Sequence, residues 1–180
     1  MNERLNELEF SFPIKKLDPQ TLTHLLGLEG TQLQGKMAKG SIGKLTFAPV
    51  RGFMKGFIDM VFRWDGRFFL VDWKSNYLGP LAEDYGPESL KEAMVSELYV
   101  LQYHIYALAL HQYLKARIKD YDYSEHFGGV YYVFLRGINR AWGVEKGIFR
   151  DRPDERLIEE LARAMIDHPS YPPLQGREKR

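Results

Sequence analysis

Two aspartates and a lysine lie close together in the sequence, on segments rich in β-branched and aromatic residues: Asp59, Asp72 and Lys74. Side chains on a strand alternate between its two faces, so Asp72 and Lys74 share a face. Burying an ionised carboxylate is costly unless a cation or hydrogen bonds compensate. One lysine cannot neutralise two carboxylates, whereas a divalent cation with oxygen ligands can. The three residues therefore predict a metal site, with a structural Asp–Lys ion pair as the alternative.

Such a set of ligands predicts phosphodiester hydrolysis. Two carboxylates could hold Mg²⁺ and leave its other positions to water and phosphate. The metal would lower the pKa of a bound water, and Lys74 would orient that water or take its proton. A further ligand is needed, and we expect it from Glu9 or from the backbone carbonyl of Trp73.

The candidate residues require two neighbouring strands. Residues 57–64 and 67–73 are two apolar runs that flank Asp65-Gly66, the strongest short-range signal for a β-hairpin. Strict alternation would place Phe57, Asp59 and Val61 on one face of the first strand and apolar residues on the other face as well. Apolar residues on both faces predict a central, covered strand.

The rest of the chain supplies further strands and helices to surround the hairpin. The patterns predict strands over 8–14, 128–135 and 147–150, and helices over 18–26, 88–119 and 153–166. Residues 27–49, 75–87 and 136–147 are predicted as loops, and 168–180 as a frayed tail.

Length and composition exclude several classes of protein. The chain has 180 residues, a size that fits a single domain, and its net charge of +1 gives no global signature of a nucleic-acid binder. It has no cysteine, which excludes disulfides, thiolate metal sites and cysteine nucleophiles. Neither a GxxxxGKS/T loop nor a GxGxxG is present, so no ATP or NAD site is expected. The charged start of the chain lacks a signal peptide, and we expect a cytoplasmic location.

Four segments together resemble a known family: GFIDMVF, VDWKSN, LQYHIYALALHQYL and FGGVYYVFLRG. They are similar to the C-terminal nuclease domain of RecB-type helicase–nuclease subunits, within the PD-(D/E)xK, restriction-endonuclease-like superfamily. The resemblance implies an α/β fold (α+β), with a central mixed sheet of about four to five strands flanked by helices. It also implies a single nuclease domain over 1–180.

The resemblance also assigns roles to individual residues. It implies that Asp59 and Asp72 are catalytic metal ligands and that Lys74 is the catalytic lysine, while Glu9 resembles the acidic residue before the core sheet. Gln102 and Tyr106 match a QxxxY signature that helps to position DNA at the site. The implied cofactor is Mg²⁺, for which Mn²⁺ or Ca²⁺ could substitute in binding.

The implied function is Mg²⁺-dependent cleavage of single-stranded DNA in double-strand break repair and DNA degradation, with RecC-like and RecD-like subunits as partners. The family also uses an upstream histidine in a G-x-x-x-H pattern, and this chain begins after the point where it is expected. We therefore expect a fragment of a larger helicase–nuclease subunit. The alternative is a catalytically silent, nuclease-like module that docks on partner subunits.

Overall fold

A five-stranded mixed sheet forms the centre of the chain in the computed structural model, which describes residues 4–17, 24 and 50–167. The sheet order follows the chain order, and only β3 and β4 are parallel. The strands are β1 (Arg4–Leu17), β2 (Val50–Trp64), β3 (Arg67–Lys74), β4 (Phe127–Phe134) and β5 (Ile148–Asp151). This arrangement confirms the predicted mixed sheet of four to five strands.

Helices flank the sheet. They are α1 (Pro87–Ser96), α2 (Tyr99–Lys115), the short α3 (Tyr123–His126) and α4 (Glu155–Met165), with 3₁₀ turns at Ala82–Tyr85 and Leu135–Gly137. No helix among the described residues is long and apolar enough to cross a membrane.

The β2–β3 hairpin forms where the sequence predicts it. Trp64 pairs with Arg67, and the two residues between them have positive φ, 47° at Asp65 and 78° at Gly66. A two-residue hairpin turn with positive φ at both central positions has a twist that matches the flanking antiparallel strands. Asp-Gly is favoured there because this pair readily adopts positive φ. The turn fixes the register that places β2 beside β3.

The parallel pairing of β3 and β4 brings together residues that are distant in the sequence. Parallel neighbours need a long crossover, and here it runs through α1 and α2. In the resulting register Asp72 lies opposite Tyr132, and Lys74 lies opposite Phe134. The carboxyl ends of β3 and β4 therefore share one end of the sheet.

The main core lies between the sheet and the helices. Leu70, Tyr132 and Phe134 are fully buried on the strands, while Ala107 and Ile158 are fully buried on α2 and α4. Asp72 and Lys74 occupy the strand positions that continue this apolar row. They are buried with 5% and 8% of their surface exposed, so the sheet carries two charged groups into its covered face.

The strict alternation predicted for β2 is wrong. Ile58 and Val61 are buried although they are three residues apart, while Phe57 is 49% exposed. The change lies opposite Glu7 of β1, which has a φ of 52° between the pairs Asn6–Met60 and Leu8–Ile58. The register is the same on both sides of Glu7, so no residue is inserted there. Asp59 lies at this point of β2.

The single helix predicted over 88–119 is also wrong. α1 ends at Ser96 and α2 begins at Tyr99, and Leu98 between them adopts the left-handed conformation with φ 59° and ψ 19°. No glycine or proline marks the break, so apolar periodicity alone could not reveal it.

Several predictions fall outside the described residues. The helix over 18–26 is described only at His24, which is helical, and the loop 27–49 and the tail 168–180 lie outside. The single-domain organisation and the cytoplasmic location stay predictions.

Candidate active site

The end of β3 carries the centre of the site. The Lys74 Nζ lies 2.5 Å from Oδ1 of Asp72, and both side chains are almost completely buried. The strand period of two places the two groups on one face, as the spacing predicts. A buried ion pair is therefore present at the predicted position.

Asp59 of β2 reaches the same point. The Asp59 carboxyl group lies close enough to that of Asp72 to raise its pKa, and Oδ2 of Asp59 accepts a hydrogen bond from the backbone N–H of Trp73 at 2.9 Å. The hairpin register accounts for this contact, because the pairs Met60–Val71 and Val61–Leu70 bring positions 59 and 72 opposite each other. The structure thus brings Asp59, Asp72 and Lys74 together.

Burial raises the pKa of Asp72 to about 6. The hydrogen bond and the charge of Lys74 act in the opposite direction, while Asp59 adds to the increase. Two carboxylates in contact cannot both be ionised without compensation, and one ammonium supplies only one positive charge. The pair therefore needs either a proton or a cation.

The excess of negative charge supports a cation at this point. Oδ1 of Asp72 is buried, and the Lys74 ammonium is its ion-pair partner. One ammonium offsets one carboxylate, and a hard divalent cation prefers carboxylate oxygens. The two neighbouring carboxyl groups fit such an ion. The described residues contain no group of three or more His, Cys, Asp or Glu side chains suited to a metal.

Lys74 is held by α2 and by aromatic rings. Its ammonium donates to Oε1 of Gln102 at 2.9 Å. The same nitrogen lies 3.8 Å from the ring centroid of Tyr99 and 4.9 Å from that of Tyr132. Ring faces attract cations, most strongly where water is excluded. These contacts fix the position of the lysine ammonium.

Gln102 and Tyr106 belong to the same network. The Oε1 of Gln102 also accepts a hydrogen bond from the Tyr132 hydroxyl at 3.0 Å, and its Nε2 donates to the Tyr106 hydroxyl at 3.0 Å. Burial raises the pKa of Tyr106, and the charge of Asp72 raises it further. Gln102 therefore contacts the lysine, and Tyr106 lies within electrostatic reach of the carboxylates.

The sequence predicts two further ligands, Glu9 and the carbonyl of Trp73. Glu9 forms an ion pair with Lys55 at 2.6 Å. The charged groups that act on the pKa of Asp72 are Asp59 and Lys74, and Glu9 is not among them. Trp73 lies between Asp72 and Lys74 in β3 and is 45% exposed. Metal binding by Glu9 and by this carbonyl stays a prediction.

Sequence reasoning missed three contacts of the site. Tyr99 and Tyr132 flank the lysine, and Asn76 accepts a hydrogen bond from the Tyr99 hydroxyl at 3.0 Å. Tyr132 lies on an apolar strand, where a tyrosine normally indicates core. Tyr99 lies within the helix predicted as continuous. Only the β3–β4 register and the helix break bring these residues to Lys74.

Comparisons with known proteins identify the family of this chain. The sequence model of the PD-(D/E)XK nuclease superfamily matches residues 12–178. The chain is 51% identical over 114 residues to RecBCD enzyme subunit RecB of Escherichia coli (strain K12), an alignment that covers 63% of this chain and 10% of that protein.

Two further relatives carry the same name. The RecB subunit of Buchnera aphidicola subsp. Schizaphis graminum (strain Sg) is 40% identical over 163 residues, covering 90% of this chain and 13% of that protein. That of Mycobacterium tuberculosis (strain ATCC 25618 / H37Rv) is 34% identical over 183 residues, covering 90% and 16%. The chain thus spans between 10% and 16% of the length of these three relatives. The resemblance to RecB is confirmed, and the chain belongs to the PD-(D/E)XK nuclease superfamily.

Proposed function

We propose that this chain is a deoxyribonuclease domain that hydrolyses phosphodiester bonds of single-stranded DNA with Mg²⁺ as cofactor. The observation that carries the proposal is that two neighbouring carboxyl groups lie beside one buried lysine, so a single ammonium faces two carboxylates. A purely structural ion pair would not need the second carboxylate.

Asp59 and Asp72 would hold the ion, with the Trp73 carbonyl and Glu9 as further candidates. A divalent ion held there would lower the pKa of a water ligand and offset negative charge on the phosphate under attack. Mn²⁺ or Ca²⁺ could substitute in binding. The hydrogen bond from the Trp73 N–H keeps one Asp59 oxygen oriented, so less ordering remains to be done when the ion binds.

Lys74 would orient the reacting groups. An ammonium has three N–H donors, and the contacts with Asp72 and Gln102 account for two directions. The remaining donor can contact a phosphate oxygen or the attacking water. The Tyr99 and Tyr132 rings lie against the ammonium and hold it at the site.

The printed names of the relatives support a wider assignment. They are RecB subunits of a RecBCD enzyme, so we propose that this chain acts in a complex of that type, in double-strand break repair and DNA degradation, beside RecC-like and RecD-like subunits.

Asp72→Asn and Lys74→Ala test the catalytic assignment. Each should lower the rate of Mg²⁺-dependent cleavage of a labelled single-stranded oligonucleotide about 100-fold or more, since each removes a group that acts in the transition state. Lys91→Ala is the control: Lys91 lies on α1 and pairs with Glu88 at 3.0 Å, so its rate should stay within about twofold of the parent. Full activity of both site variants would contradict the assignment.

The alternative is a nuclease-like docking module that has lost catalysis. Calorimetric titration of the folded chain with Mg²⁺ and Mn²⁺ distinguishes the two. The nuclease predicts binding of at least one ion that Asp72→Asn abolishes. Heat signals that are the same in the parent and in Asp72→Asn would favour the docking module.

A further inference from the structure

Two exposed side chains lie at the same end of the sheet as Lys74, on the segments that follow β3 and β4. Arg136 follows β4, and its Nε donates to the backbone carbonyl of Ser75, the residue directly after Lys74, at 2.9 Å. Its guanidinium lies 5.9 Å from the ring centroid of Tyr77. Arg136 and Tyr77 therefore form one surface beside the candidate active site.

Arg136 is anchored, yet most of its hydrogen-bonding capacity is free. A guanidinium has five N–H donors in a planar fork, and the contact with Ser75 uses the one on Nε. No carboxylate within 4–17, 24 and 50–167 forms an ion pair with this exposed side chain. The terminal nitrogens of such a fork match the two oxygens of a phosphate.

Tyr77 is exposed on a segment that is fixed on both sides. The neighbouring Asn76 accepts a hydrogen bond from Tyr99 at 3.0 Å, and the N–H of Leu78 donates to the Tyr85 hydroxyl at 3.2 Å. The side chain of Tyr77 nevertheless keeps 64% of its surface exposed. Because the backbone is already fixed, an aromatic ring exposed in this way can stack on a base with little further loss of conformational entropy.

We propose that Arg136 and Tyr77 form a nucleotide-binding site for a single-stranded nucleic acid, in which Arg136 binds a backbone phosphate and Tyr77 stacks on a base. A base inside a duplex already stacks on its neighbours, whereas a base in a single strand has a free face. The site lies beside Lys74, so a strand bound there would extend into the active site. This step rests on the proposed function, whose substrate it helps to position.

Binding of two fluorescent probes of equal length, an oligothymidylate and an abasic oligonucleotide, separates the two roles. Anisotropy is measured in EDTA, where no cleavage occurs. Arg136→Ala should weaken binding of both probes about tenfold and reduce the slope of log K against log salt by about 0.7, the value for one phosphate contact on a single strand. Tyr77→Ala should weaken binding of the oligothymidylate about tenfold and leave the abasic probe within about twofold, because only bases stack.

Matched controls use residues of the same kind in other places. Arg140→Ala removes a cation from the same exposed loop. Trp64→Ala removes the indole of a residue that is 68% exposed at the end of β2, beside the first residue of β3 and away from Lys74. Both should bind each probe within about twofold of the parent. An equal loss in Arg140→Ala would reduce the effect of Arg136 to general charge and overturn the proposal.

The remaining outcomes also decide the matter. Loss of abasic binding in Tyr77→Ala, or no binding of either probe by the parent chain, would overturn the nucleotide-binding site. If the parent binds the oligothymidylate with the expected variant pattern but does not cleave it in Mg²⁺, the nucleotide-binding site stands and the proposed nuclease function fails. If the parent cleaves the oligothymidylate in Mg²⁺ but Arg136→Ala and Tyr77→Ala bind the probes as the parent does, the proposed nuclease function stands and the nucleotide-binding site fails.

Discussion

Gln102 joins the charged and the aromatic parts of the site. Its carbonyl oxygen accepts from both Lys74 and Tyr132, and its amide nitrogen donates to Tyr106. An amide is suited to this position because it offers acceptor and donor atoms on one planar group. The sequence signature QxxxY marks two of these residues, but the spacing alone does not show that the glutamine orients the lysine.

Tyr99 should affect catalysis through its ring rather than its hydroxyl group. Tyr99→Leu removes the ring 3.8 Å from the Lys74 ammonium, and we expect kcat for single-stranded DNA to fall about tenfold, within the range of a partly desolvated cation–π contact. Tyr99→Phe keeps the ring and loses only the hydrogen bond to Asn76, so its kcat should stay within about threefold of the parent. Steady-state kinetics measures both.

Asn76→Ala is the matched control for the hydroxyl group, because it removes the same hydrogen bond from the other side. Its kcat should resemble that of Tyr99→Phe. A rise in KM with unchanged kcat in Tyr99→Leu would mean that the ring positions DNA and not the lysine.

The central acidic and basic residues could be found from the sequence because a strand has a simple period. Asp72 and Lys74 share a face by counting, and the Asp-Gly turn predicts the register that brings Asp59 to Asp72. Tyr132 could not be found in this way. It lies 30 residues from Gln102 in the chain, and their contact depends on a parallel register that no turn specifies.

The elements were predictable where a local signal marks an end. The hairpin turn has its Asp-Gly pair, and α4 begins after Asp154, whose side chain accepts from the N–H of Arg156. The break between α1 and α2 has no such signal, because Leu98 is a good helix former that adopts a left-handed conformation here. Packing of the two helices on the sheet therefore overrides local preference.

The helix break predicts that the difference in stability between glycine and alanine variants has opposite signs at Leu98 and Leu101. At a left-handed position glycine is favoured over alanine by about 1 kcal/mol, whereas inside a helix alanine is favoured by about the same amount. Leu98→Gly should therefore be more stable than Leu98→Ala, and Leu101→Gly less stable than Leu101→Ala. Leu101 lies within α2 and, like Leu98, is partly buried against the core, so it is a matched control.

Urea denaturation measures the free energy of unfolding of these four variants. Comparing glycine with alanine at one position removes most of the cost of losing the leucine side chain. If glycine is the less stable residue at both positions, the helix continues through Leu98 as the sequence predicts. The position of Tyr99 beside Lys74 would then need another explanation.

On the scale of the whole molecule, the core contains titratable groups besides the candidate site. His104 and His111 of α2 are buried with 1% and 4% of their surface exposed. Burial lowers the pKa of each to about 4. For His104 the hydrogen bond with Val100 acts to raise the pKa, whereas for His111 the charge of Lys115 lowers it further. Asp151 also faces His104 and acts to raise its pKa. Hydropathy patterns count such histidines as polar, so their place in the core could not be inferred.

These histidines should make the fold less stable in mild acid. In the unfolded chain a histidine has a pKa near 6.5, so below that pH the unfolded state binds a proton that the folded state does not. The stability that a neutral buried histidine provides is therefore complete above pH 6.5 and is lost as the pH falls towards 4. For His104 the loss between pH 7 and pH 5 is about 2 kcal/mol.

His104→Gln isolates this contribution. Urea denaturation of the parent and of the variant at pH 7 and pH 5 gives two differences in the free energy of unfolding, and we expect the decrease on acidification to be about 2 kcal/mol smaller in the variant. Comparing the same variant at two pH values cancels the pH-independent cost of the substitution. Subtracting the pH dependence of the parent then cancels the opposite effect of Asp72, whose raised pKa stabilises the folded state as the pH falls through 6. The double variant with His111→Gln should lose roughly twice as much of the pH dependence, because both groups are shifted in the same direction. Equal pH dependence in the parent and in both variants would mean that these imidazoles are accessible to protons in the native state, and that α2 does not seal the core as its burial implies.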